Sequence, residues 1–171
     1  MSFSLGNIWT QDTSIPVNIT TRNLSKIMNV RKIEASNKNV GTKGYWGTAT
    51  WFLFHSIAAR IEADYYKKNY LVIWNFISKC CSNLPCPYCR THATKYTDKI
   101  NHRSINTKEK LQKVLFDFHN SVNQRTRKTQ YKYEDLEKYK KAKLFYIFQN
   151  FKIKFFKTFF GSREFSGWLR D

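Results

Sequence analysis

Apolar residues recur at helical spacing through most of the chain between residues 47 and 140. One stripe falls at positions i, i+3, i+4, i+7 and i+11, and its members are Tyr70, Ile73, Trp74, Ile77 and Cys81. A second stripe repeats that spacing after Asn106 and Thr107, either of which could cap a helix, and comprises Leu111, Val114, Leu115, Phe118 and Val122. The pattern predicts helices over 46–64, 69–82, 87–99, 107–126 and 133–150, and no alternating strand pattern competes.

The segments outside these helices differ in character. Residues 1–39 are polar and predict an N-terminal extension, whereas residues 40–140 form one helical domain. Residues 141–171 are basic and aromatic and predict a C-terminal extension. Its aromatic stripe, near helical spacing over 144–160, is expected to pack onto the bundle or onto a second subunit; an anionic membrane surface is the alternative.

Composition limits the class of protein. Its 171 residues suit one domain, and the sequence contains no apolar run long enough for a transmembrane helix. A net charge of +18 would attract polyanions such as nucleic acid. However, the abundant Lys, Asn, Ile, Phe and Tyr share AT-rich codons, so part of the lysine excess records genome composition, and we predict no specific nucleic-acid partner. A G-x-G-x-x-G turn and a P-loop are both missing from the sequence.

The sharpest chemical signal is a C-x-x-C pair, Cys86-Pro-Tyr-Cys89, at a predicted helix start. The helix dipole and free amides there favour a thiolate, so the pair could form a redox-active disulfide. Half of a zinc site is one alternative, although His92, His102 and His119 are too far apart to complete it. A structural disulfide is the other.

Two more cysteines, Cys80 and Cys81, lie just before this pair. Adjacent cysteines bridge only through a strained ring, so a disulfide between them is not expected. We expect Cys81 to fill a place on the apolar stripe, with Cys80 incidental. A relay of electrons from Cys80 to Cys86 is the alternative.

Two further motifs could bind a ligand. His119 and Asn123 are four residues apart on one helix face, with Asn120 beside them, Val122 on the apolar stripe and Lys128 one to two turns on. An ordinary hydrogen-bonded boundary is the alternative for this segment.

The other motif is Trp46-Gly47 followed by Trp51 and His55. Trp51 and His55 are again four residues apart, and an indole beside an imidazole offers a platform for a flat aromatic ligand. Core packing of the tryptophans is the alternative.

Together the three motifs resemble the Erv/ALR family of FAD-linked sulfhydryl oxidases, in the compact form encoded by large DNA viruses. The matching text, over roughly residues 44–140, is Trp51-Phe-Leu-Phe-His55, Cys86-Pro-Tyr-Cys89-Arg90-Thr-His92, and His119-Asn120-Ser-Val122-Asn123 through Lys128. The resemblance implies an all-α fold, a four-helix bundle with a short fifth helix, that binds FAD and forms a homodimer. It also implies a thiol oxidase that passes electrons from a dithiol protein or a thioredoxin-like relay protein to O2, giving hydrogen peroxide.

The same resemblance implies roles for individual residues. Cys86 and Cys89 would be catalytic, with Cys86 attacked by the substrate and Cys89 facing the flavin. The cofactor-binding residues would be Gly47, Trp51, His55, His119, Asn120, Val122, Asn123 and Lys128, and no metal is expected.

The sequence also leads to expectations about cellular location and about a rival function. The N-terminal sequence has neither a basic segment nor an apolar segment of a cleaved signal. We therefore expect a cytoplasmic protein that is not secreted, in the host cytoplasm or the virion if it is viral. The rival function is a basic zinc-binding module that binds nucleic acid.

Overall fold

The computed structural model describes residues 42–158. Within that range the chain forms five α-helices and two 3-10 helices, with no strand, so the all-α prediction is confirmed. The helices are α1 (Lys43–Arg60), α2 (Ala63–Ser82), α3 (Pro87–Thr97), α4 (Lys108–Arg125) and α5 (Leu144–Thr158), with 3-10 helices at His102–Ile105 and Tyr133–Lys141. The predicted extension over 1–39 and the tail beyond residue 158 lie outside the described residues.

The helix ends follow local capping chemistry. Thr107 caps α4 through a hydrogen bond from the Lys110 amide, as one of the two predicted caps. The predicted boundary between α1 and α2 is wrong by several residues. Ile61 and Glu62 are extended, and the Glu62 carboxylate accepts bonds from the amides of Asp64 and Tyr65, which starts α2 at residue 63.

The core lies between α1, α2 and α4, and both predicted stripes face it. The buried members are Ile73, Trp74, Ile77, Cys81, Leu111, Leu115 and Phe118, and α1 adds Leu53, Phe54 and Ile57. The Tyr66 hydroxyl donates to the Ile105 carbonyl at 2.6 Å, which ties the first 3-10 helix to α2. This bundle fixes the facing sides of α1 and α4, where the ligand-binding motifs lie.

The single helix predicted over 133–150 is two elements in the structure. Apolar side chains in its first part recur every third residue, at Leu136, Tyr139 and Ala142, which is the period of a 3-10 helix. Tyr139 and Ala142 are buried as a result. Ala142 is extended and separates this 3-10 helix from α5.

α5 packs along α1 and carries much of the predicted aromatic stripe into the core. Phe148, Phe151 and Phe155 are buried, and Phe148 lies near Phe76 of α2 with ring centroids 6.4 Å apart. Packing onto the bundle therefore covers this part of the stripe. Among the described residues no helix is long and apolar enough to cross a bilayer.

Candidate active site

A cavity of about 1170 Å³ opens between α1, α3, α4 and the segment 126–139. Small-molecule pockets commonly measure roughly 300–1,000 Å³, so this one has room for a ligand as large as a dinucleotide. Seven of the ten residues predicted from the motifs line it: Gly47, Trp51, Cys89, His119, Val122, Asn123 and Lys128.

The cysteine pair lies at the start of α3, as predicted. Cys86 is the N-cap, and its Sγ accepts a hydrogen bond from the Cys89 amide at 3.2 Å. Both cysteines are free thiols, with their Sγ atoms 2.6 Å apart. Cys89 lines the cavity and Cys86 does not. The two sulfurs are therefore adjacent, but only one faces the ligand space.

The environment separates the two thiols in acidity. At Cys86 burial disfavours the thiolate, but hydrogen bonds from the thiol and amide of Cys89, together with the charge of Lys43, outweigh it and lower the pKa. At Cys89 burial and the neighbouring Cys86 raise the pKa to about 11. In the reduced pair, Cys86 is therefore the more acidic of the two thiols and the one that more readily forms a thiolate.

One wall of the cavity is an aromatic stack that joins α1 to α4. The rings of Trp51 and His119 are nearly parallel, 7° apart, with centroids separated by 4.1 Å. Tyr131 approaches His119 at 4.7 Å. The predicted pairing of Trp51 with His55 is looser, at 5.9 Å and 27°, because the closest partner of the indole comes from the other helix.

His55 lies behind this wall rather than in it. Its Nε2 is 3.0 Å from His119 Nδ1, so one ring donates to the other and the pair fixes the orientation of His119. Tyr139, which lines the cavity, also stacks on His55, with ring centroids 4.9 Å apart. Burial is the main cause that lowers the pKa of His119 to about 4 and that of His55 to about 3, with nearby charges adding to it.

This pair predicts loss of stability in acid. Both histidines are neutral in the folded protein, while the unfolded chain takes up protons below about pH 6.5, so stability is fully present above that pH and falls as the pH drops towards 4. Each histidine should contribute about 2 kcal/mol of the loss between pH 7 and pH 5. Urea unfolding of cofactor-free protein at both pH values measures it. The stability of the double variant His55→Gln/His119→Gln should depend much less on pH. An unchanged stability difference between pH 7 and pH 5 would show that these histidines are not its cause.

Asn120 also supports the wall from outside the cavity. Its side chain donates to the Tyr131 carbonyl at 3.0 Å and accepts from the Tyr131 amide at 2.8 Å. Both polar groups of the amide are thus used to hold the segment that carries Tyr131 against α4. Of the predicted motif on α4, His119, Val122 and Asn123 reach the ligand space, and Asn120 anchors its edge.

The cavity is also basic and carries unpaired polar groups. Lys43, Arg125, Lys128 and Lys138 line it. Arg125 Nε and His92 Nδ1 are buried without a hydrogen-bond partner within the described residues. Buried polar atoms of this kind call for a partner, and a phosphate-containing dinucleotide has the acceptors to satisfy them. The residues present therefore fit FAD.

The backbone after α4 brings Lys128 to the cavity. Arg127 has a φ of +55°, and the amides of Arg127 and Lys128 bond to the carbonyls of Gln124 and Asn123 at 3.1 and 2.8 Å. This is a Schellman motif with arginine where glycine is usual. It reverses the chain sharply and returns segment 128–131 to the cavity.

Gly47 marks the place where a ligand can approach α1 most closely. A Cβ built on this residue would meet no atom within 4 Å, since the position opens to the cavity. We predict that Gly47→Leu keeps the fold, because leucine favours a helix more than glycine by roughly 0.5–1 kcal/mol, but weakens FAD binding at least about tenfold by filling ligand space. Flavin titration measures the affinity, and Gly47→Ala, which adds only a methyl group, is measured beside it. Unchanged affinity in the leucine variant would exclude close approach.

The other two cysteines belong to the core. Cys80 is 0% exposed and Cys81 is 1% exposed, and burial raises the pKa of both thiols well above the usual range. Cys81 borders the inner end of the cavity. Within the described part of the chain, no cluster of three or more His, Cys, Asp or Glu residues could hold a metal ion.

Several residues that line the cavity lie outside the motifs found in the sequence. Tyr131, Lys138 and Tyr139 come from the 3-10 helix and the loop before it, where no local pattern marks them. Lys138 lies 4.5 Å above the ring of Tyr131 and 5.1 Å above that of Tyr139, which links the three. Lys43 precedes the tryptophan motif, and no sequence signal marks it either. His92 could have been found, because it lies one helical turn after Cys89 and therefore shares its helix face.

Comparisons with known proteins agree with this geometry. The model of the Erv1 / Alr family matches residues 48–143, more than half of the chain. An FAD-linked sulfhydryl oxidase of African swine fever virus (isolate Pig/Kenya/KEN-50/1950) is 36% identical over 85 residues, which cover 49% of this chain and 70% of the relative. Protein 088R of Frog virus 3 (isolate Goorha), named for the same activity, is 31% identical over 102 residues, 58% of this chain and 67% of its own. No solved structure matches significantly.

Proposed function

The chain belongs to the Erv1 / Alr family, and we propose on that basis that it is an FAD-linked sulfhydryl oxidase, as its viral relatives are named. The substrate is a dithiol protein or a thioredoxin-like relay protein, and the enzyme acts as a homodimer. The observation that carries the proposal is the placement of Cys89, which lines a dinucleotide-sized cavity while its thiol hydrogen-bonds to Cys86 outside that cavity.

The cysteine pair does the exchange chemistry. With the pair oxidised, a substrate thiolate attacks Cys86 Sγ, the bond between Cys86 and Cys89 breaks, and Cys89 leaves as a thiolate. The second substrate thiol loses its proton and attacks the substrate sulfur of the mixed disulfide, which releases Cys86 as a thiolate. The lowered pKa of Cys86 makes it a good leaving group in this second step. The substrate thereby loses two electrons and two protons.

The cavity residues bind and orient the cofactor. FAD, when bound, supplies the two-electron redox chemistry that restores the disulfide, with O2 as the final acceptor and hydrogen peroxide as product. Trp51 and His119 offer flat faces for its ring systems, and Asn123 adds a buried amide. Lys128 and Arg125 provide positive charge for the phosphates.

Measurements on the purified protein distinguish the oxidase from the rival function, a zinc-binding module that binds nucleic acid. We expect yellow protein with stoichiometric flavin, dithiothreitol-dependent oxygen uptake, and one hydrogen peroxide formed per disulfide. Colourless protein that contains zinc and binds nucleic acid would overturn the proposal. The Cys86→Ser variant, measured beside it, should retain flavin but consume no oxygen, which ties the activity to the cysteine pair rather than to free flavin.

A further inference from the structure

The residue between the two cysteines is an unusually exposed aromatic side chain. Tyr88 is 66% exposed, the most of any large apolar or aromatic residue that the structure describes as exposed. It does not line the cavity, although it lies against Arg125, which does. It lies in the first turn of α3, between Cys86 and Cys89, so the ring stands close to the sulfur that a substrate must reach.

The ring of Tyr88 is also held in place. The guanidinium of Arg125 lies 4.8 Å from its centroid, and Pro87 fixes the first position of α3 just before it. An aromatic side chain that is exposed yet preorganised loses little conformational entropy on binding. Such residues are common anchors of protein interfaces.

The charge around the pair is of one sign. Lys43 and Arg125 act on the two cysteines, and no carboxylate is among the groups that do so. Neither cation forms an ion pair with any residue in 42–158. Because Arg125 also faces the cofactor phosphates, the charge left for a partner with a carboxylate near its cysteine is that of Lys43.

Resting on the oxidase function proposed above, we propose that Tyr88 is the docking platform for the protein substrate, packing against an apolar side chain beside the substrate cysteine. The positive charge of Lys43 adds a preference for an acidic residue on the same segment. The substrate class is thus a dithiol segment with apolar and acidic neighbours. It reacts by the exchange described above, with the Cys86–Cys89 disulfide as oxidant.

A cycle of enzyme and substrate variants tests this inference. Oxygen uptake by flavin-loaded wild type, Tyr88→Ala and Tyr88→Phe is measured with dithiothreitol and with three dithiol peptides. One peptide has leucine and glutamate beside its first cysteine, the second replaces the leucine by glycine, and the third replaces the glutamate by lysine. Tyr133→Ala is the matched control, since this tyrosine is also exposed but lies on the second 3-10 helix.

Tyr88→Ala should lower kcat/KM for the leucine–glutamate peptide about tenfold, mainly through KM. With dithiothreitol and the glycine peptide it should stay within about twofold of wild type, and Tyr88→Phe and Tyr133→Ala should behave as wild type. With every enzyme variant, the lysine peptide should have a kcat/KM about tenfold lower than that of the leucine–glutamate peptide. This difference should shrink in high salt. Equal losses with all dithiols would overturn the docking role. Inactive wild type with dithiothreitol would instead overturn the oxidase function, and this inference with it.

Discussion

Cys89→Ser is expected to abolish dithiol oxidation while leaving FAD bound. The variant removes the only exchanging sulfur that lines the cavity, but Trp51, His119 and Asn123 are untouched. Loss of a residue that forms a covalent bond in the reaction commonly costs at least a thousandfold in turnover, so we expect a decrease of that order. Oxygen uptake with dithiothreitol and the flavin-to-protein ratio are the two measurements.

The matched control is Cys80→Ala, since Cys80 is a buried thiol of the neighbouring helix. It should reduce stability modestly and keep activity, which separates the exchanging pair from the core thiols. If Cys80→Ala were as inactive as Cys89→Ser, the alternative in which Cys80 relays electrons to Cys86 would be correct. If Cys89→Ser retained activity, the pair would not be the redox centre.

The same pair allows a direct assignment of its two sulfurs. In reduced wild type near neutral pH, Cys86 should be alkylated at least about tenfold faster than Cys89, because the pKa of Cys86 is lowered and that of Cys89 is raised to about 11. Mass spectrometry of the alkylated peptide reads the ratio. A faster reaction at Cys89 would reverse the roles of the two cysteines.

His119→Ala should lose cofactor and stability together. The variant removes the ring that stacks on Trp51 and leaves His55 without its hydrogen-bond partner. We expect at least about a hundredfold weaker FAD binding. At an excess of one hundred dissociation constants a bound ligand stabilises by about 2.7 kcal/mol, so the rise in melting temperature on adding FAD should almost vanish.

Asn123→Ala should show the same loss of flavin, since Asn123 also lines the cavity and is buried. Ser121→Ala is the matched control, because Ser121 is on the same helix but bonds to the Phe118 carbonyl and does not line the cavity. Undiminished flavin content in both His119→Ala and Asn123→Ala would assign these residues to an ordinary buried boundary.

The sequence predicted the stripes of α2 and α4 because their period is maintained over eleven residues, which only a helix can do. It did not predict the break before α2, since Ile61 continues the apolar run and Glu62 is not a usual N-cap. Over nine residues a period of three is hard to distinguish from 3.6, so the sequence pattern predicts an α-helix where the structure has the 3-10 helix Tyr133–Lys141.

For the site, the spacing of the motif residues predicted which side chains share a helix face, but not which side chains that face contacts. His55 and Asn120 were on the right faces, yet their neighbours are His119 and Tyr131, so they support the wall of the cavity. The residues that complete the cavity from segment 128–139 reach it only because the chain reverses after Arg127. A non-glycine residue in that conformation leaves no mark in a hydrophobic pattern.

The packing of α5 along α1 has a consequence for how the protein is made. During translation α1 leaves the ribosome first, while the helix that covers one of its sides emerges only after α2, α3 and α4. Until Phe148, Phe151 and Phe155 arrive, the side of α1 that they cover stays exposed on the nascent chain. Domains generally fold as units, and contacts between distant segments form late. The bundle should therefore close only after α5 is free of the ribosomal tunnel, although the exchanging cysteines emerge well before that moment.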